Sequence, residues 1–132
     1  MKVKGFTLIE LMVVILIVGI LAAASVPMMR GRIDSAKWSE GNATAGTIRS
    51  AVRVAYAEDA SATLTGALSG ATLQDTLGIT TEDLDGTYFD EDDYNITAVD
   101  SAGHATVTVT SDGSGNMPEA GTKTLSAAGV WN

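Results

Sequence analysis

Cysteine is absent from the 132 residues, so neither a disulfide framework nor a thiolate metal site is available to the chain. A small domain without disulfides has to be stabilised by packing, by ions or by assembly. Histidine occurs once, at His104 beside a turn. No nucleophile-elbow or phosphate-loop pattern accompanies it, so no catalytic constellation can be drawn and an enzyme is not expected. Basic residues almost vanish after residue 54, where 13 acids face Lys123 alone, a local charge of −12 in a chain of formal charge −8. Phosphate recognition relies on clustered Lys and Arg, so this acidic region is not expected to prefer nucleic acid. Keeping the domain soluble is the plainer role for the acids. Aromatic residues are also few: Phe6, Trp38, Tyr56, Tyr88, Phe89, Tyr94 and Trp131. Tyr56 and Trp131 read most simply as core. An electron-conducting role would need closely spaced rings between subunits.

What the chain does have is one long apolar run. Leu11 to Met29 is 19 residues without a charge. At ~1.5 Å per residue it makes a helix that crosses most of a ~30 Å hydrocarbon core. Glu10 stands just inside the apolar segment, where a lone carboxylate costs roughly 2.5–3.5 kcal/mol. The nearest bases, Lys2 and Lys4, are set apart from it by Gly5. The expected partner of Glu10 is therefore another molecule, or a charge created by processing.

The segment Lys4-Gly5-Phe6-Thr7-Leu8-Ile9-Glu10-Leu11-Met12-Val13-Val14, with Pro27 further on, closely resembles the N-terminus of type IV pilins and type II secretion pseudopilins. The resemblance is good over roughly residues 1–59. It implies cleavage after Gly5 by a prepilin peptidase, N-methylation of Phe6, and an assembly role for Glu10, which in that family neutralises the terminal amine of a neighbouring subunit. Cleavage would supply the missing charge, since an ammonium at Phe6 also needs neutralising in an apolar setting. The implied fold is α+β: a long N-terminal helix packed on a small C-terminal antiparallel sheet. The implied organisation is a leader at 1–5, a membrane and assembly half of the helix at 6–29, an amphipathic half at 30–59, and a globular region at 60–132. The implied function is a structural subunit of a homo-oligomeric surface filament serving adhesion or motility. It would be staged in the cytoplasmic membrane and raised by inner-membrane assembly machinery. Alternatives are a type II secretion pseudopilin working in the periplasm, or a membrane-anchored binding domain that never polymerises.

A different reading takes Lys2 and Lys4 as a basic n-region, Leu11–Leu21 as an h-region and Ala22-Ala23-Ala24 as a signal-peptidase site, releasing a protein that starts at Ser25. It leaves Glu10 and the Gly5-Phe6 junction unexplained. Membrane orientation does not follow from charge, because Lys2 and Lys4 on one side nearly balance Arg30, Arg32 and Lys37 on the other. A cytoplasmic N-terminus comes from the resemblance alone.

Helix is expected from about Phe6 to Asp59. Pro27 removes one backbone donor and should kink the helix rather than end it. Gly19 gives a small surface, and the Gly19–Pro27 interval is where, by resemblance, the helix can loosen on assembly. Ile48, Ala51, Val52, Ala55 and Tyr56 form one helical stripe, with Arg49 and Arg53 beside it. Gly41 and Gly46 predict a soft spot, at ~1 kcal/mol each relative to Ala. Residues 60–87, rich in Ser, Thr, Gly and Ala, read as a surface connection with short helices near Thr72–Leu77 and Thr81–Leu84. In the last third, Tyr94, Ile96 and Ala98 alternate with Asn95, Thr97 and Val99, and Ala105, Val107 and Val109 alternate with Thr106, Thr108 and Thr110. Thr122–Ser126 is a third strand, and Val130-Trp131 closes the sheet against the helix.

Asp90-Glu91-Asp92-Asp93 is the densest polar cluster. No cofactor is required, but Asp90, Asp92 and Asp93 are the candidates for calcium, alone or with Asp83 and Asp85. Asn95 replaces the glycine an EF-hand needs at its sixth position and no closing Glu follows, so the loop is not an EF-hand. A solvated acidic loop is the plainer reading. By resemblance, calcium stabilises the domain of some major pseudopilins. Asn42-Ala43-Thr44 and Asn95-Ile96-Thr97 match the short glycosylation acceptor pattern.

Overall fold

A computed structural model describes residues 5–132; Lys2, Lys4 and most of the expected leader lie outside the described residues. Helix α1 runs from Leu8 to Glu58 and passes through Pro27, Gly41 and Gly46 without a break. The chain divides into two compact units, Met1–Ile33 and Asp34–Asn132. In the first unit α1 carries its apolar side chains outward: Leu8, Ile15, Ile20 and Leu21 are each more than 60% exposed. An 18-residue window of this helix has a mean hydropathy of 2.7, and by length and composition it can cross a membrane.

The second unit is organised by the other half of α1. Trp38, Gly41, Ala45, Ile48, Val52 and Ala55 are buried, at alternating steps of three and four, which is one face of a helix. The stripe thus starts ten residues earlier than Ile48. α1 stays helical through the 41–46 region. A Cβ on Gly41 would come within 3.0 Å of both the Phe89 ring and Val109 Cγ1, so this glycine lets helix and sheet approach closely. Tertiary packing there outweighs helix propensity.

Four antiparallel strands follow in the order β1 (Gly66–Ala67), β2 (Tyr94–Val99), β3 (Ala105–Ser111), β4 (Gly121–Leu125). β3 alternates as expected, with Ala105, Val107 and Val109 buried. β2 does not. A bulge between Ile96 and Ala98 shifts the register, so that Ile96 faces Val107 but Ala98 faces Thr106. Past the bulge the faces exchange: Ala98 is exposed, while Val99 is half-buried and packs against the core. One extra residue reverses every side chain beyond it. At the β2–β3 turn, Gly103 takes φ 78° against the Tyr56 ring, a backbone that a Cβ would strain. The chain end returns along β4, where Leu125 pairs with Trp131 and Thr124 exchanges two 3.0 Å backbone hydrogen bonds with Asn132. Val130 stays exposed and Trp131 is half-buried.

The 60–87 region is more than a surface connection. Leu64, Leu68, Leu77, Ile79 and Leu84 from it all enter the core. It also supplies β1, α2 (Ala71–Leu77) and α3 (Thr81–Leu84). α2 ends at Gly78, whose left-handed φ of 64° brings the Ile79 N–H back to Gln74 O at 3.0 Å. Buried Gln74 ties the segment together: its Nε2 donates to Leu68 O and its Oε1 accepts from the Thr81 hydroxyl.

Two cations on α1 bond to loop carbonyls rather than to carboxylates. Lys37 Nζ donates to Met117 O at 3.2 Å, and the Arg49 guanidinium donates to Ala127 O. Glu40 works the same way in reverse, with Oε1 accepting the N–H groups of Tyr88 at 2.8 Å and Phe89 at 3.2 Å.

Candidate functional site

Gly5, Phe6 and Thr7 precede the first turn of α1, and Phe6 is 84% exposed. Glu10 sits in that turn and is answered from within it. Its Oε2 accepts from the Thr7 N–H at 2.8 Å and from the Thr7 hydroxyl at 2.7 Å. The Glu10 N–H in turn lies 3.4 Å from Thr7 Oγ1. This reciprocal arrangement is a capping box, which satisfies donors that a helix start otherwise leaves open. Glu10 therefore finds hydrogen-bond donors in its own turn, whereas the partner expected of it is a positive charge. Thr7 gives it two hydrogen bonds, although neither brings a positive charge. Thr7 was the residue missed, and its signal was legible as a Thr three positions before a Glu.

Around Glu10 the surface is apolar. Phe6, Ile9, Val13 and Val14 line a shallow groove with the acid at its edge. Further along the first unit, a Cβ at Gly19 would meet nothing within 4 Å, so that position is open to a close neighbour. Pro27 lies inside α1, as expected of a residue that does not end the helix. Two residues before it, the Ser25 hydroxyl donates to Leu21 O at 2.8 Å.

The acidic cluster is occupied with its own backbone. Asp93 Oδ2 accepts the Asp90 N–H at 2.9 Å, and Asp90 Oδ1 accepts the Asp92 N–H at 3.0 Å. Together they cap the single 3₁₀ turn Glu91–Asp93. Burial, with added repulsion from Asp90, Asp112 and Asp92, pushes the Asp93 carboxyl above its ordinary value. Among the described residues no group of three or more His, Asp or Glu side chains is arranged to hold a metal ion. His104 is paired with Asp100, Nδ1 to Oδ2 at 3.1 Å, across the β2–β3 turn. Of the two acceptor patterns, Asn42 is half-buried on α1 with its Oδ1 enclosed, whereas Asn95 is exposed on β2.

The family described as "Prokaryotic N-terminal methylation motif" matches residues 1–26, the segment that contains Gly5, Phe6 and Glu10. The chain is 49% identical over 55 residues to the type IV narrow pilus major component PilA5 of Thermus thermophilus, covering 42% of this chain and 47% of that protein. It is 46% identical over 55 residues to the fimbrial protein EcpC of Eikenella corrodens, covering 42% and 36%. With the type IV major fimbrial protein FimA of Dichelobacter nodosus it shares 45% over 49 residues, 37% of this chain and 31% of the other. The chain thus spans less than half the length of these relatives in the matched regions. No solved structure matches it. The chain thus carries the N-terminal methylation motif over residues 1–26 and is similar over 49 to 55 residues to type IV pilus and fimbrial proteins, on a helix whose second half packs on a four-stranded antiparallel sheet.

Proposed function

We propose that this protein is a structural subunit of a type IV pilus-like filament. The single observation that carries the reading is the run of outward-facing apolar side chains from Phe6 to Met29, headed by Glu10 in the matched motif. Such a surface is unstable in water and calls for lipid or for copies of itself. Before assembly the helix lies in the cytoplasmic membrane. There the Thr7 cap reduces the cost of carrying a carboxylate at the edge of the hydrocarbon. Cleavage between Gly5 and Phe6 by a prepilin peptidase exposes an ammonium on Phe6, which is then N-methylated. In the filament, Glu10 of one copy takes the Phe6 ammonium of the next. The pair sets register, and stacking of the apolar helices supplies the cohesion. Gly19 and Pro27 give the helix room to adjust as it moves from lipid to filament.

Substitution at Glu10 separates the capping role from the charge. Glu10→Gln keeps a side chain able to complete the capping box but cannot neutralise an ammonium. Both Glu10→Gln and Glu10→Ala are expected to insert in the membrane yet yield few or no fibres, judged by electron microscopy of sheared surface material. Normal fibres from Glu10→Gln would remove the charge pairing from the mechanism. Mass spectrometry of the mature terminus is expected to find N-methyl-Phe6.

A further inference from the structure

A second surface, outside the N-terminal motif, carries the partner question further. A groove of about 420 Å³ opens on the second unit between α1 and the α2–α3 segment, lined by Ala51, Val54, Leu77, Ile79 and Asp83 among others. Val54 is 61% exposed, an apolar side chain left uncovered beside this groove. The framing elements are acidic: Asp75, Glu82 and Asp83 are exposed on α2 and α3, against the exposed Arg53 on α1. Asp83 accepts both Thr80 hydrogen bonds on Oδ2, so its carboxylate is already fixed in place.

The complementary surface lies at the end of the apolar run. Ser25, Met28, Met29 and Arg32 line one shallow pocket in the first unit. Their spacing of i, i+3, i+4 and i+7 is that of a single helix face. Met28 is 73% and Met29 64% exposed, and Arg32 is exposed beside them. Among the described residues the structure records one ion pair, between His104 and Asp100, and none that uses an arginine or lysine. One face is therefore methionine with a cation; the other is an apolar floor with an anionic rim. Methionine suits such a floor because its unbranched side chain adapts to irregular gaps.

We propose that the groove between α1 and α2–α3 receives the Met28–Arg32 face of a second copy of this chain, with Arg32 set against the Asp83 rim. The proposal rests on the filament reading and names one contact within it. Apolar burial supplies the adhesion, and the opposite charges select orientation and register.

The absence of cysteine makes the test direct. Met29→Cys and Ser50→Cys, on the helix face and on the groove wall, are introduced in separate copies that are expressed together, and sheared filaments are oxidised. The expected product is a disulfide dimer joining position 29 of one copy to position 50 of another, identified by mass spectrometry of its peptides. Filaments that form but contain no such bridge overturn the contact and leave the filament reading intact. Failure of the unsubstituted protein to form filaments overturns both. Arg32→Glu in the Met29→Cys copy is expected to lower the bridge yield about fivefold, and Arg32→Lys to restore it. An unchanged yield with Arg32→Glu would overturn the charge selection.

Discussion

Thr7 and Glu10, Thr80 and Asp83, and Asp90 and Asp93 repeat one device, a short polar residue three positions before an acid that turns back onto its backbone. The spacing is legible in sequence, and so is its purpose: each pair starts a helical turn. What sequence does not tell is which acids are spent this way, because solvated and capping carboxylates look alike until the backbone is placed. Asp90 and Asp93 read as calcium candidates for that reason. Tyr94 is the opposite case, a residue whose polar end goes unserved. Its hydroxyl is buried without a hydrogen bond of ordinary geometry, and burial pushes the phenol from 10.0 up to about 12 against a downward pull from Thr44. Between those values the unfolded chain gives up the proton and the folded one keeps it. Stability is therefore intact below the ordinary tyrosine pKa and falls as pH rises toward 12. The loss is on the order of 3 kcal/mol. In Tyr94→Phe, chemical denaturation of the full chain in detergent is expected to show a flatter alkaline decline. At neutral pH the variant is expected to be unchanged or about 1 kcal/mol more stable.

At the scale of elements, α1 shows how packing overrules propensity. Gly41 and Gly46 are equivalent by helix propensity but not by surroundings. A Cβ at Gly41 runs into Phe89 and Val109, whereas at Gly46 it meets nothing within 4 Å. Gly46→Ala is expected to stabilise the second unit by about 1 kcal/mol. Gly41→Ala gains the same propensity but forces the helix off the sheet, at a cost of about 1–3 kcal/mol, and is expected to lose on balance. Thermal melts of the two variants side by side check this, and equal shifts would contradict the packing account. β2 teaches a related lesson. Its alternating residues announce a strand, yet the bulge at Thr97 exchanges the faces of Ala98 and Val99. Alternation in sequence is blind to an extra unpaired residue, because the register belongs to the pairing with β3.

Across the whole molecule, the acids that crowd the second unit do not all pull stability the same way with pH. Asp100 is held below the ordinary carboxylate range, first by the His104 N–H and then by the Ala102 N–H; Asp59, Asp83 and Asp112 are lowered by comparable local hydrogen bonds. A depressed folded pKa contributes stability above the ordinary value, and that contribution disappears as pH falls through the depressed one. Asp93 is raised instead, so its protonation relieves a cost as the solution becomes acid. Four lowered groups against one raised group predict a net loss of stability on acidification below about pH 4. The fall is expected to be shallower in Asp100→Asn, which has no carboxylate left there to protonate. A melting-temperature series from neutral to acid pH on both proteins provides the check, and identical slopes would contradict it.

Much was decided by the sequence alone. An uncharged run long enough for a bilayer, a helical stripe after it and strand alternation near the end together imply the helix and the sheet, and the acid at the head of the run beside a Gly-Phe junction carries the resemblance to type IV pilins. These are local or periodic signals, written in neighbouring residues. Only the tertiary structure decided that a Ser- and Thr-rich connection contributes Leu64, Leu68, Leu77, Ile79 and Leu84 to the core. The same holds for Gly41 as a contact, for the bulge in β2 and for the groove beside Val54. The physical reason is common to all of them. Burial, close approach and hydrogen-bond pairing depend on which distant segments meet, and nearby residues carry no record of that meeting.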